Sequence, residues 1–286
     1  MPDTLILGAV AYDPKVVTIW EGFRAWFAER DFDFDFVLYS NYERQVAGHF
    51  AGHYDVGWNS PLAWIQAERV ARATGRETRA ICMRDTDQDL TSLVAVRADA
   101  GITSVADLRG KRVAVGAADS PQATLIPLLH LKEAGLEPGR DFEVVYFDRL
   151  VGKHGDHIGG ERDAARALIA GEADAACMID GNHLLFTNEG TLPAGATSIL
   201  TQTAPYDHCC FTVLDGADEA VVDRFVSLLM GQSYEDPKVR PLLDLEGLRA
   251  WRAGRTEGFD QLNRAVDAFG TIDAFVERTA GAAADQ

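Results

Sequence analysis

One segment of the chain, residues 153–162, combines titratable side chains with glycines in a pattern that a buried core does not use. Glycine lets backbone N–H groups approach a ligand closely, and long polar loops of compact domains are often functional. We therefore expect a binding site here, with a mobile surface loop as the alternative. Arg162, at the start of a predicted helix, could hold a carboxylate through two hydrogen bonds. The side chains available for chemistry are Lys153, His154, Asp156, His157, Glu161 and Arg162.

A second stretch, Pro205–Cys210, offers an imidazole beside two thiols. An imidazole can take the proton of a thiol, so Cys209 is a candidate nucleophile with His208 or His157 as its base. Glu161 is a further candidate for proton transfer, and His208 is also expected to contact a ligand. The alternative is that the cysteines are small core residues, since free cysteine is usually buried.

The same residue types could bind a metal ion. His154 and His157 are three residues apart, and with Cys209 they supply ligands suited to zinc or iron. Their spacing matches no standard zinc motif. We therefore expect no cofactor and keep a transition metal as the alternative.

Polar residues also follow strand-like runs at the points where helices are predicted to begin. Helix N-termini favour negatively charged groups, and the ligands of open α/β sheets gather at such strand ends. Ser60 and Ser120 each precede a proline that suits the first helical position, so they could equally be plain helix caps. The residues expected to bind a ligand at these turns and strand ends are Tyr12, Asn59, Ser60, Ser120, Gln122, His154, Asp180 and Tyr206.

The elements that must position these residues alternate between strand-like and helical patterns, which is typical of an α/β fold. For example, Thr4–Val10 predicts a strand, and Pro14–Glu29 predicts a helix with apolar residues at helical spacing. Two such series occur without a proline- or serine-rich linker between them, which favours two lobes joined by crossing strands. We expect one lobe at 1–92 and 207–286 and the other at 93–206.

The overall charge excludes some partners. The 286 residues have a formal net charge of -17, so nucleic acid and anionic membrane surfaces would be repelled. No apolar run approaches the roughly 20 residues of a membrane span, so no membrane insertion is expected. The first residues show no secretion signal. We therefore expect a cytoplasmic protein as the sequence stands, or a periplasmic or extracellular one if a signal has been removed.

Several stretches resemble one known family. Tyr54-Asp-Val-Gly-Trp-Asn-Ser-Pro resembles the strand and ligand-binding turn of phosphonate-binding proteins of ABC transporters. Asp107-Leu-Arg-Gly-Lys-Arg-Val-Ala resembles the entry to their second lobe. The chain is thereby similar to type 2 periplasmic solute-binding proteins, closest to the phosphonate and phosphate type. The resemblance implies a two-lobed α/β fold, in which two mainly parallel sheets flanked by helices are joined by two crossing strands.

One departure from that family concerns the ligand. The family's Ser-Thr-Ser segment appears here as Ser120-Pro121-Gln122, so two hydroxyl donors are missing. We therefore expect the lobes to close on a small anionic or zwitterionic organic solute rather than on bare phosphate. The protein would act as an ABC-transporter substrate-binding protein, with a permease as its second partner.

The alternative function is a cytoplasmic enzyme on the same fold, a lyase or hydrolase of the decarboxylase or desulfinase kind. Cys209 with His157 or His208 would then do the chemistry, and Arg162 would anchor an anionic substrate. A Cys–His pair within hydrogen-bond distance would favour this alternative.

Overall fold

The structure, a computed structural model, describes residues 4–155 and 158–284. The predicted site residue His157 lies outside the described residues. The chain divides into two compact units. The first unit comprises the residues up to Gln88, Asp207–Phe259 and the residues from Ile272 onward, and the second comprises Asp89–Tyr206 and Asp260–Thr271.

The strands of the described residues form two sheets, one in each unit. In chain order they are β1 (Leu5–Val10), β2 (Phe34–Tyr39), β3 (Val56–Asn59), β4 (Thr78–Arg84), β5 (Ser92–Arg97), β6 (Arg112–Val115), β7 (Glu143–Tyr146), β8 (Ala175–Ile179), β9 (Thr197–Gln202), β10 (Cys210–Leu214) and β11 (Trp251–Ala253).

Helices connect and cover these strands. In chain order they are α1 (Lys15–Ala28), α2 (Tyr42–Phe50), α3 (Pro61–Thr74), α4 (Ile126–Glu133), α5 (Glu161–Ala170), α6 (Asp180–Asn188), α7 (Glu219–Met230), α8 (Arg240–Glu246), α9 (Asp260–Phe269) and α10 (Asp273–Ala284). A short π-helical turn, Pro121–Leu125, leads directly into α4.

The sheet of the first unit has the strand order β11-β4-β10-β3-β1-β2. β1 lies parallel to both β2 and β3, as expected for the strand–helix series that opens the chain. β10 and β11 come from later segments and pair antiparallel with their neighbours. The sheet is therefore mixed rather than mainly parallel.

Aromatic side chains fill the core on one face of this sheet. Phe23 and Phe27 are buried on α1, because its apolar residues recur every three or four positions and form one continuous face. The rings of Trp58 and Phe211, on the neighbouring strands β3 and β10, have centroids 4.6 Å apart. This packing fixes the strands whose ends hold several predicted site residues.

The sheet of the second unit has the strand order β7-β6-β8-β5-β9. β6 lies parallel to β7 and β8, whereas β5 runs antiparallel to β8 and β9. Alanines on β8 and α5, including Ala165 and Ala176, are fully buried and keep the helix close to the sheet.

α9 also belongs to the second unit, where it packs against α4. The ammonium group of Lys132 on α4 lies 5.7 Å from the ring centroid of Phe269. The compact units therefore differ from the predicted lobe boundaries in residues 89–92 and in the segment 260–271. The lobes at 1–92 with 207–286 and at 93–206 stay a prediction.

Candidate functional site

In the first unit, the predicted residues Tyr12, Asn59 and Ser60 lie at one edge of the sheet. β1 and β3 are parallel neighbours in register at Leu7 and Val56, so their carboxyl ends meet at the same edge. Tyr12 follows β1 and is half-buried. The sequence therefore grouped these three residues by their positions after parallel strands.

Asn59 and Ser60 are fully buried and hold the turn at the end of β3 in place. The Asn59 amide donates to the Thr212 hydroxyl at 3.0 Å and accepts from the Gln45 amide at 2.9 Å. The Ser60 hydroxyl accepts from the Ala63 N–H at 3.1 Å and so caps α3. The observed contacts of Asn59 and Ser60 thus stabilise the turn itself. For Ser60 this agrees with the alternative that it is a plain helix cap.

In the second unit, three parallel strands end at one edge, and an aspartate follows each of them. Asp119 follows β6, Asp148 follows β7, and Asp180 follows β8. The antiparallel strand β5 begins at this edge, since Ser92 pairs with Ile179, the last residue of β8. Only Asp180 of these aspartates was expected from the sequence.

A network of buried hydrogen bonds connects the segments that meet at this edge. The Ser92 hydroxyl donates to the backbone carbonyl of Gln122 at 2.5 Å and lies 2.7 Å from the Tyr206 hydroxyl. The backbone N–H of Ser92 donates to the Thr203 hydroxyl at 3.0 Å. Burial raises the pKa of Tyr206, so its phenol stays protonated. The structure thus brings the predicted residues Gln122 and Tyr206 together through Ser92, which sequence reasoning missed.

The more accessible polar groups of the edge surround Asp180. The Thr91 hydroxyl donates to the Asp180 carboxylate at 2.8 Å, and the Gln202 amide donates to the Thr91 hydroxyl at 2.6 Å. Gln202 is exposed, whereas Thr91 and Asp180 are half-buried. Thr91 and Gln202 therefore extend the predicted set of ligand-binding candidates.

The turn around Ser120 is closed by bonds within its own unit. The Ser120 hydroxyl accepts from the Ala123 N–H at 3.2 Å and caps the π-helical turn. The Ala118 N–H donates to the Asp148 carboxylate at 2.9 Å, and the Gly152 N–H donates to Asp119 at 2.6 Å. Burial raises the pKa of Asp119. Carboxylates of the same unit thus occupy both of these backbone donors.

The described part of the segment 153–162 packs onto this turn. The Gln122 side-chain amide donates to the carbonyl of Gly155 at 2.9 Å, and a Cβ on Gly155 would clash with Ser120. His154 is buried, and this burial lowers its pKa to about 3. The imidazole of His154 is therefore neutral at physiological pH.

Arg162 and Glu161 make contacts within the second unit. The Arg162 guanidinium binds both carboxylate oxygens of Glu189, at 2.8 and 3.0 Å. Arg162 thus has the predicted two-bond geometry, but its partner is a side chain of the same unit. The buried Glu161 carboxylate accepts from the Ile179 N–H at 3.0 Å and from the Asn182 amide at 2.8 Å.

In the first unit, Cys209 lies in a cluster of charged and polar side chains. Its sulfur is 3.1 Å from Nδ1 of His208, and the same nitrogen is 3.4 Å from a carboxylate oxygen of Asp87. Arg84 binds both oxygens of Asp87, at 2.5 and 2.8 Å. Burial alone would raise the pKa of Asp87, but the Arg84 guanidinium and its hydrogen bonds outweigh burial and hold that pKa at about 2.

This cluster differs from the predicted metal ligands His154, His157 and Cys209. Within residues 4–155 and 158–284, the group of three ligand-type side chains within mutual reach consists of Asp87, His208 and Cys209. His154 is not in this group. Asp87 lies in the charged run Arg84-Asp-Thr-Asp87, and no sequence pattern connects this run to Cys209.

None of the helices in the described residues is both long and apolar enough to cross a bilayer.

Comparison with known proteins identifies related chains. A family model described as "ABC transporter, phosphonate, periplasmic substrate-binding protein" matches residues 9–259. Among solved structures, PhnD1 from Prochlorococcus marinus in complex with methylphosphonate is 17% identical, with a TM-score of 0.69. That match covers 95% of this chain and 100% of the other.

Two further structures are similar over nearly the whole chain. XAC2383 from Xanthomonas citri, bound to ATP, is 19% identical with a TM-score of 0.68, covering 96% of this chain and 98% of that one. The periplasmic aliphatic sulphonate binding protein SsuA from Escherichia coli is 15% identical with a TM-score of 0.55, covering 98% and 91%. At such identities the likeness concerns the fold, and it confirms the predicted type 2 periplasmic-binding-protein-like α/β architecture.

Proposed function

Because the chain belongs to the family of periplasmic substrate-binding proteins of phosphonate ABC transporters, we propose that its ligand is a small organic zwitterion with a protonated amine and an acidic group. Family membership confirms the predicted substrate-binding function of ABC-transporter type with a small-molecule ligand. The family is periplasmic. We propose that this protein is periplasmic as well.

The observation that supports this ligand class is the row of aspartates at the strand ends of the second unit. Asp119, Asp148 and Asp180 each follow one of its parallel strands. A doubly charged phosphonate without an amine would be repelled by these carboxylates, whereas an ammonium group would be attracted. Arg162 cannot offset them fully, because its guanidinium already binds Glu189.

Asp180 is the proposed contact for the amine. Its carboxylate is half-buried and already accepts from the Thr91 hydroxyl, and a carboxylate has room for further donors. Thr91 and Gln202 would orient the ligand beside it. Ser120 and Gln122 are the buried support of this edge. Tyr12, Asn59 and Ser60 belong to the first unit, and their contact with a ligand stays a prediction.

Matched ligand pairs test the amine directly. Aminoethylphosphonate, taurine and β-alanine should each bind, as measured by isothermal titration calorimetry. Ethylphosphonate, ethanesulfonate and propionate, which lack only the amine, should bind at least about tenfold more weakly, because a charge-assisted hydrogen bond contributes about 1.5–3 kcal/mol. Equal affinity within all three pairs would contradict the zwitterion proposal.

A variant pair locates the contact. Asp180→Asn should remove most of the preference for the aminated member of each pair. Asp99→Asn makes the same chemical change on an aspartate of the second unit whose side chain is 88% exposed, and it should leave that preference intact. If Asp180→Asn binds both members as the unaltered protein does, Asp180 is not the contact.

The enzyme alternative retains one observation in its favour. The sulfur of Cys209 and Nδ1 of His208 are 3.1 Å apart, within hydrogen-bond distance. A lyase or hydrolase would consume the bound zwitterion, so incubation followed by NMR would reveal new products that disappear in Cys209→Ser. Unchanged ligand recovered after prolonged incubation would support binding without turnover.

A further inference from the structure

The cluster around Cys209 brings three metal-ligand side chains together from two distant segments. Asp87 lies in a short helical turn just after β4, and His208 and Cys209 lie just before β10. The backbone N–H of His208 donates to the carbonyl of Asp87 at 2.8 Å and fastens the segments to each other. The positions of the three side chains are thus set by the backbone as well as by their own contacts.

The spacing of the donor atoms suits a small tetrahedral ion. Zinc binds nitrogen and carboxylate oxygen at about 2.0–2.2 Å and thiolate at about 2.3 Å, so neighbouring donors of a tetrahedral site lie roughly 3.3–3.7 Å apart. Here Nδ1 of His208 is 3.4 Å from Asp87, within that range, and 3.1 Å from the Cys209 sulfur, slightly below it, so binding would need a shift of a few tenths of an ångström at the sulfur. All three donor atoms lie within 4.8 Å of one another.

The charges of the surroundings also suit a divalent cation. The half-buried guanidinium of Arg84 contacts the carboxylates of Asp87 and Glu246, both with side chains only 2% exposed. These three groups leave one negative charge in excess. A Cys209 thiolate would add a second negative charge to this set. One divalent ion would balance the set.

Arg84 does not prevent this arrangement. Each carboxylate oxygen has two lone pairs, so Asp87 can accept from the guanidinium and still offer an electron pair to a metal. Carboxylates that ligate metals are themselves commonly held by a neighbouring hydrogen-bond donor, which fixes their orientation. In the cluster, Arg84 would have that positioning role.

We propose that Asp87, His208 and Cys209 form a binding site for one divalent transition-metal ion of the zinc class. Nδ1 of His208 donates its lone pair to the metal, and the Cys209 thiol loses its proton to solvent as the metal–sulfur bond forms. Three protein ligands are typical of zinc sites whose fourth position is taken by water or a small molecule. This proposal does not depend on which solute the protein binds.

Cobalt titration of the chelator-treated protein tests the site, because a cobalt–thiolate bond gives a charge-transfer absorption that oxygen and nitrogen ligands do not. We expect one equivalent of Co²⁺ to produce this band and Zn²⁺ to abolish it by displacement. Cys209→Ser should eliminate the band, and His208→Gln should weaken binding at least about tenfold. Absence of the band, or its persistence in Cys209→Ser, would overturn the proposal.

Cys210 supplies the matched control. It is adjacent in sequence, but its buried sulfur lies 3.6 Å from the Thr212 hydroxyl, and burial raises its pKa to about 12. Cys210→Ser should therefore keep the cobalt band. Loss of the band in Cys210→Ser but not in Cys209→Ser would place the thiolate ligand at the wrong residue for our proposal.

A second measurement uses the unaltered protein, so it does not depend on the folding of any variant. Zn²⁺ should slow alkylation of Cys209 by iodoacetamide at least about tenfold, as mapped by peptide mass spectrometry, because a metal-bound thiolate is a poor nucleophile. Equal alkylation with and without Zn²⁺ would count against the site. Solute affinity should be measured with and without chelator as well. This measurement tests the zwitterion proposal separately from the metal site.

Discussion

The hydroxyl oxygens of Ser92 and Tyr206 lie 2.7 Å apart in the interior of the second unit. The Ser92 hydroxyl also donates to the Gln122 carbonyl. A single serine therefore connects the start of β5, the turn after β6 and the segment after β9. These three segments meet at the edge where the aspartates lie, so the network supports the shape of the proposed binding edge.

Replacing Tyr206 by phenylalanine removes one hydroxyl from this network and leaves the ring. We expect the free energy of unfolding to fall by about 1 kcal/mol, the usual net contribution of a buried hydrogen bond. Tyr146→Phe is the control, because Tyr146 belongs to the same unit and is 46% exposed. Urea denaturation of both variants checks the prediction. Equal, negligible losses would mean that the buried bond adds nothing.

Gly160 and Gly171 flank α5. Replacing each of them by alanine distinguishes the cost of a steric clash from the cost of a left-handed backbone. Both have left-handed backbone, with φ of 87° and 75°. A Cβ on Gly160 would collide with the backbone carbonyl of Phe147, whereas a Cβ on Gly171 would meet only the end of the Arg97 side chain. We expect Gly171→Ala to cost about 1 kcal/mol and Gly160→Ala clearly more, by thermal unfolding. Similar costs would mean that the Phe147 carbonyl moves aside freely.

The buried pair of Arg84 and Asp87 should matter far more than an exposed pair. Asp87→Asn leaves the Arg84 guanidinium, which is only 16% exposed, with less compensation, and we expect a loss of about 3 kcal/mol. Asp215→Asn, which breaks the partly exposed pair with Arg76, should cost about 1 kcal/mol or less. Chemical denaturation of the two variants compares them. A smaller loss for Asp87→Asn than for Asp215→Asn would show that burial does not strengthen this pair.

The same pair predicts how acid destabilises the protein. The pKa of Asp87 is lowered to about 2 in the folded chain, below its usual 3.8. The pair therefore contributes fully above about pH 5, by about 2 kcal/mol, and the contribution is lost as the pH falls through 2. The difference in stability between Asp87→Asn and the unaltered protein should shrink over this range. A difference that stays constant to pH 2 would contradict the lowered pKa.

The buried His49 should cause a second loss of stability, at less acidic pH than the loss due to Asp87. Burial lowers the pKa of His49 to about 4 in the folded chain, whereas an unfolded histidine titrates near 6.5. Between these values the unfolded chain binds a proton that the folded chain does not, so stability is lost as the pH falls from about 6.5 to about 4. His49→Gln should flatten the dependence of unfolding free energy on pH, and the exposed neighbour His53→Gln should not. Parallel pH profiles for all three proteins would be contrary to this account.

The sequence predicted the architecture because local patterns determine much of it. Strand and helix periods identify the two series of elements, and the ends of parallel strands group Tyr12 with Asn59. β11 was not predicted as a strand, since its segment resembles a helical region of the family, and the helix α10 was not predicted. β11 has only three residues, two of them exposed, and so gives little periodic signal.

The charge partners could not be predicted, because they depend on contacts between distant segments. Arg162 meets Glu189, 27 positions away, and so does not have the predicted anionic ligand as its observed partner. As a metal ligand Cys209 is predicted beside the histidines at 154 and 157, whereas its neighbours are His208, which is predicted as its base, and Asp87, which is not predicted at all. Residue type showed which groups could do chemistry, and only the fold decides which of them meet.

The path of the chain determines when each unit can be completed during synthesis. α9, which packs against α4, and α10, which packs against α3, follow all the strands and the other helices of the described residues. A nascent chain that ends at Phe259 would lack the buried face of α9 in one unit and the buried Phe275 of α10 in the other. Neither unit can therefore complete its core on the ribosome until the residues that follow Phe259 have been made.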